Sequence, residues 1–133
     1  MGIRLAKPVA ISFRSIEQAE LEEIHRRQNG ADECKELSGW LDFDLPWAPM
    51  SLDQVKGKLD ERRKEARTAF MAVYTRSGAF VGVAYYSAEW DPWCPFVNVF
   101  IWPEHRRKGY GTEAARMLLA KCFGESVAHV VSA

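Results

Sequence analysis

The spacing of apolar and polar positions changes several times along the chain, and each change marks an element. Val9, Ile11 and Phe13 alternate with smaller or polar residues, which predicts a short strand. Ser15 and Gln18 form a capping-box pair ahead of a helix that runs to about Gln28 and stops at Asn29-Gly30. Glu33 to Leu41 suits a short helix, and Pro46 and Pro49 break the stretch after it. Ser51 and Gln54 repeat the capping box, after which Leu52, Val55 and Leu59 share one helical face in a mostly charged stretch reaching Arg67. Ala69–Thr75 and Ala79–Ala88 read as two antiparallel strands joined by the turn Arg76-Ser77-Gly78. After a second turn at residues 91–95, Phe96–Trp102 is a strand with Val97, Val99 and Ile101 on one face. A helix begins near Gly111 and is expected to end at Phe123-Gly124, where glycine suits the position after a helix. Val127–Val131 is a last short strand.

This order implies an α/β (α+β) domain: a mixed, mostly antiparallel sheet with helices on both faces, its last helix lying in a βαβ-like crossover. The chain has 133 residues, the length of one domain, and nearly half of them are hydrophobic, enough to build a core. Lys and Arg balance Asp and Glu at 18 each, so no charge-driven nucleic-acid or membrane role is expected. No apolar run approaches the roughly 20 residues of a membrane span, and residues 1–10 lack the pattern of a secretory signal. The three cysteines, Cys34, Cys94 and Cys122, contain no CxxC pair. They predict neither a disulfide framework nor a zinc site, and point to a reducing, cytoplasmic setting.

The chemistry is concentrated between Val97 and Ala114. A strand ends at Pro103, a basic loop with two glycines comes next, and a helix starts at once. The first N–H groups of a helix lack internal partners, and the helix dipole makes that end partly positive. Gly109 and Gly111 carry no side chains, so a ligand can come close to the backbone. Arg106, Arg107 and Lys108 add attraction for anions. Together these make a cradle for a pyrophosphate.

The stretch resembles the acyl-CoA motif of the GNAT superfamily of N-acyltransferases, Gln/Arg-x-x-Gly-x-Gly/Ala, with Arg106, Gly109 and Gly111 in its fixed positions. The run PEHRRKGYGTEAARMLL is especially similar to the branch that acetylates N-terminal amines of ribosomal proteins and related small amines. The resemblance is sharp over residues 79–123 and looser over 9–78. It implies acetyl-CoA as co-substrate, a primary amine as acceptor and no metal. It also implies that the amides of Arg107 to Thr112, Tyr110 included, hold the pyrophosphate. The backbone of Phe100 and Ile101 would pair with the pantetheine arm like an added strand. The family's later helix and last two strands have no counterpart in these residues. An unfinished sheet would leave an open edge, so a homo-oligomer, in the simplest case a homodimer, is expected.

The resemblance implies that a base takes the amine proton and an acid serves the departing thiolate. No residue is assigned to either role. Asn98 is not basic near neutrality. Glu89, Asp91 and His105 read as surface residues, and Glu104 as a partner within the loop. Asp32, Glu33, Asp42 and Asp44 lie in the early loop that the family uses for the acceptor, where they either attract a cationic amine or are simply solvated. Trp40, Phe43, Trp47, Tyr85, Trp90, Trp93 and Trp102 read as core more than as acceptor groove. Cys94 and Cys122 read as packing residues, and His25 and His129 have no partners at ligand spacing.

Other readings stay open. Gly109-x-Gly111-x-x-Ala114 also fits a dinucleotide fingerprint, but that fold wants an acidic residue about 20 positions further on, where Val131 stands. A Walker A loop is absent. A non-catalytic acyl-CoA-binding module is the alternative to an enzyme.

Overall fold

The computed structural model describes residues 10–30, 34–41, 48–65, 67–88 and 94–125. In chain order these form β1 (Ile11–Ser15), α1 (Gln18–Gln28), α2 (Cys34–Trp40), α3 (Leu52–Lys64), β2 (Thr68–Thr75), β3 (Phe80–Ser87), β4 (Phe96–Ile101), a 3-10 turn (Pro103–His105) and α4 (Tyr110–Glu125). The strands lie side by side in the order β1-β2-β3-β4, and every neighbouring pair is antiparallel. The strand expected at Val127–Val131, which would make the sheet mixed, lies outside the described residues.

Alternation along the strands builds two cores. Phe70, Ala72, Val83, Phe100 and Trp102 face Leu21 and Ile24 of α1, Leu37 of α2 and Val55 and Leu59 of α3. Val73, Val81, Ala84, Val97 and Ile101 face Leu118 of α4. Helices therefore cover both faces, as the element order implied. Beside Val73 and Tyr74 the pairing shifts: Val73 opposes Gly82 and Tyr74 opposes Phe80, which leaves Val81 as an extra residue. This bulge bends β3 where it meets the end of β4.

Local chemistry explains most boundaries. The Ser51 hydroxyl accepts the Gln54 N–H (3.1 Å) and the Gln54 amide oxygen accepts the Ser51 N–H (2.8 Å), closing the expected capping box. Gly78 turns the hairpin with φ of +92°. Three expectations are corrected. Helix α1 is capped not by Ser15 but at Glu17, whose N–H goes to the Glu20 carboxylate (2.9 Å), because Ser15 continues β1 opposite Met71 and Ile16 is buried. Helix α3 stops at Lys64; the chain then passes Arg67 at φ of +56° and donates Ala88 N–H to the Arg67 carbonyl (2.9 Å). Helix α4 continues through Gly124 to Glu125, so that glycine is not a terminator.

Candidate functional site

The site is built on the end of β4. Trp102 donates its backbone N–H to the Val81 carbonyl (2.9 Å), and its indole N–H to the Phe80 carbonyl (3.1 Å). Its ring is fully buried and meets Phe80 and Phe100 edge-on. Backbone direction alternates along an antiparallel strand, so Phe100 and Asn98 also face β3, while Ile101 and Val99 turn their N–H and C=O groups away from it. A strand added at that edge would meet Val99 and Ile101. Phe100, expected to pair through its backbone, instead contributes a ring to the core on the α1–α3 side.

Pro103 starts the 3-10 turn, closed by His105 N–H to the Trp102 carbonyl (2.9 Å) and Arg106 N–H to the Pro103 carbonyl (3.3 Å). The chain then passes through left-handed geometry at Arg107 (φ +64°) and at Gly109 (φ +84°). For the arginine this costs about 1–3 kcal/mol and persists only where the surroundings fix it. The first bond of α4 runs from Glu113 N–H to the Gly109 carbonyl (3.0 Å), so the amides of Tyr110, Gly111 and Thr112 have no helical acceptor. A cleft of about 190 Å³ opens onto these amides, lined by Ile101, His105, Arg106, Arg107 and residues 109–112. A groove of about 360 Å³ shares Gly111 and Thr112 with it and continues along Val97, Asn98 and Val99 to Ala115. An elongated ligand with an anionic end fits this pair: the anion over the helix start, the arm beside β4.

The glycines serve different needs. Gly109 supplies the left-handed turn. At Gly111 a Cβ would sit 3.4 Å from Ile101 Cγ1, so a small residue keeps the helix start close against β4. Gly82, which the sequence did not mark, is the tightest of the three: a Cβ there would lie 2.3 Å from the Phe100 carbonyl oxygen.

The basic residues also divide. Arg107 and Lys108 are exposed, and Lys108 lies outside the cleft lining. Arg106 is engaged with the protein: its Nε donates to the Ile101 carbonyl (3.0 Å), its Nη2 to Glu36 of α2 (3.0 Å), and the guanidinium lies 5.3 Å from the Phe100 ring centre. It folds the loop back onto β4 rather than standing free as a cation.

Among the candidate acids and bases, Glu104 forms a two-pronged pair with Arg27 of α1. Arg27 holds the carboxyl of Glu104 down at about 2, so it is a poor base near neutrality. His105 is half-buried, with its ring beside Tyr110. Asn98 is half-buried on the face shared with Phe100 and sits opposite Tyr85, whose hydroxyl donates to Glu65 (3.3 Å). Asp32, Glu33, Asp42, Asp44, Glu89 and Asp91 lie outside the described residues, as do Phe43, Trp47, Trp90 and Trp93. Trp102 is core, as its reading implied. Among the described residues no group of three or more His, Cys, Asp or Glu could hold a metal ion, and no helix is long and apolar enough to cross a membrane.

Residues 11–133 match the acetyltransferase (GNAT) domain family. The chain belongs to that family. The GNAT fold is seen again in solved structures: spermidine N-acetyltransferase from Vibrio cholerae in complex with CoA and spermine is 18% identical, with a TM-score of 0.66 over 86% of this chain and 64% of that one. A probable acetyltransferase is 22% identical, with a TM-score of 0.67 over 87% and 64%. A dodecameric form of the Vibrio cholerae enzyme, in an intermediate state, is 16% identical, with a TM-score of 0.60 over 86% and 63%. This GNAT chain thus spans just under two thirds of the length of those solved chains. No curated protein sequence matches it. The ribosomal-protein branch is not distinguished by these likenesses, which at such identity speak to the fold.

Proposed function

We propose that this GNAT domain binds acetyl-CoA and serves an N-acetyltransferase that modifies a primary amine. The observation that carries the reading is the β4–loop–α4 junction, where three helix-start amides and two left-handed residues surround an open cleft continuous with the groove along β4. In this reading the amides of residues 107–112 hold the pyrophosphate, and outward backbone groups of Val99 and Ile101 hold the pantetheine arm. Bound acetyl-CoA supplies an activated thioester. The protein's part is to orient it and to admit the amine in neutral form.

Two acceptor classes remain in view: a small polyamine, favoured by the fold's likeness to spermidine N-acetyltransferases, and a protein N-terminus, favoured by the run from Pro103 to Leu119. The reading includes a homo-oligomer, in keeping with an open edge at β4 among the described residues, and a cytoplasmic location, in keeping with three cysteines that contain no CxxC pair.

Calorimetry with acetyl-CoA tests the proposal, with Gly109→Glu and Gly111→Glu as controls. Micromolar binding abolished in both variants supports it. No binding to folded protein, or binding indifferent to both substitutions, refutes it. CoA release in the presence of spermidine or of a peptide with a free N-terminus then separates the two acceptor classes. Binding without release to any amine favours the non-catalytic module.

A further inference from the structure

Arg27 is an unusual residue for the middle of an apolar interface. It lies on the α1 face that buries Leu21, Ile24 and Gln28, and is only 7% exposed. Its Nε donates to Glu23 (2.8 Å), its Nη1 to one Glu104 oxygen (3.1 Å) and its Nη2 to the other. The guanidinium lies 4.5 Å over the Trp102 ring centre. These contacts across the interface converge on the short segment Trp102–Glu104, which feeds the phosphate loop. Arg27 itself is not part of the cleft lining.

The loop needs such a restraint. Arg107 holds its left-handed backbone only if the chain is fixed on both sides. Downstream, the bond from Glu113 to Gly109 anchors it to α4. Upstream, two ion pairs hold it among the described residues. Arg106 with Glu36 joins side chains that are 42% and 54% exposed, and such pairs are weak. Arg27 with Glu104 has a buried, planar donor, two parallel bonds and an aromatic surface beneath it, so it is the stronger restraint.

We propose that Arg27 is a positioning residue for the pyrophosphate end of acetyl-CoA: acting through the Glu104 carboxylate and the Trp102 ring, it fixes the turn that presents the loop amides. This rests on the acyl-CoA reading of the site. It also means that the helical layer on one face of the sheet sets the affinity of a cleft at the far end of β4.

The test compares two ligands with the same thioester, acetyl-CoA and acetyl-pantetheine, the second lacking the pyrophosphate. The full chain and its Arg27→Met, Arg27→Lys and Glu104→Gln variants are titrated well below their melting points. Arg27→Met and Glu104→Gln should each weaken acetyl-CoA about tenfold (about 1.4 kcal/mol) and change acetyl-pantetheine less than twofold. The double variant should be no worse than either single change. Arg27→Lys, which keeps the charge but not the fork, should fall between. Hydrogen exchange gives an independent readout: the amides of His105, Arg106 and Glu113, bonded within the turn and at the helix start, should exchange faster in the variants while those of β2 and β3 do not. Should Arg27→Met fail to fold, Glu104→Gln and Arg27→Lys carry both measurements. Equal weakening of the two ligands, or faster exchange throughout the sheet, would mark a general structural role and overturn the proposal. Unchanged acetyl-CoA affinity in the variants overturns it alone, whereas no acetyl-CoA binding by the wild-type chain overturns the acyl-CoA reading and this proposal with it.

Discussion

Gly82→Ala should loosen the fold and the cleft together. A Cβ at this position would stand 2.3 Å from the Phe100 carbonyl oxygen and 2.9 Å from Ile101 Cα, both backbone atoms that no rotamer change can move aside. Ordinary contact begins near 3.4 Å, so β3 and β4 must part by roughly 1 Å beside the bulge at Val81. Overpacking of this kind costs about 1–3 kcal/mol. For a chain of this size that lowers the melting temperature by about 3–5 °C per kcal/mol. Ile101 lines the cleft and its carbonyl accepts from the Arg106 guanidinium, so the displacement should also weaken acetyl-CoA binding several-fold. Gly57→Ala is the matched control. Gly57 is exposed within α3 and has nothing within 4 Å of its Cβ position, so alanine should raise stability by about 0.5–1 kcal/mol and leave binding alone. Thermal melts and calorimetry on both variants read the pair. A Gly82→Ala protein with wild-type melting temperature and affinity would refute the argument that β3 and β4 are in close contact there.

Other contacts yield further predictions. The Glu104 carboxyl is depressed from 4.5 to about 2, so its pairing stabilises the fold fully above pH 4.5 and loses that effect as pH falls toward 2. The gap in urea midpoint between wild type and Glu104→Gln should therefore be constant above about pH 5.5 and shrink below about pH 4.5. Gln28 is fully buried and bonds the Ala48 carbonyl and the Met50 N–H (both 3.1 Å), so Gln28→Ala should cost about 1–3 kcal/mol in urea unfolding. Ser51→Ala removes one half of the α3 capping box and should cost about 0.5–2 kcal/mol by the same measurement.

What the sequence made legible is what short-range chemistry writes into it. Ser51 and Gln54, the Gly78 turn, the alternation of β2 to β4 and the strand–glycine loop–helix at residues 96–112 each act over a few neighbours, and each forms as read. The cap of α1 differs from its reading because two overlapping pairs, Ser15 with Gln18 and Glu17 with Glu20, compete there. The tertiary demand for Ser15 in β1 and Ile16 in the core decides between them. Gly82 carried no signal, since its reason is a strand brought against it from positions 100 and 101. Arg27 carried a faint one: a charged residue, beside Gln28, on the stripe begun by Leu21 and Ile24. A cation on a buried face asks for a partner, but only the fold reveals that the partner is Glu104, 77 positions away.

The sheet order also bears on how the molecule assembles. Strands β2, β3 and β4 are consecutive in both sequence and space, and α4 packs back on β4, so this portion can form from contacts of short loop length. Strand β1 joins β2 only across the whole helical segment between Ser15 and Thr68, a slower closure. The topology therefore predicts a folding nucleus in the meander, with substitutions at Val83 or Val99 slowing folding and substitutions at Leu21 mainly hastening unfolding. The glycine loop belongs to that early portion, but its clasp from α1 arrives with the late one. A refolding chain would then form the loop before α1 clasps it, and on the reading proposed above acyl-CoA capture would report that the last layer has docked.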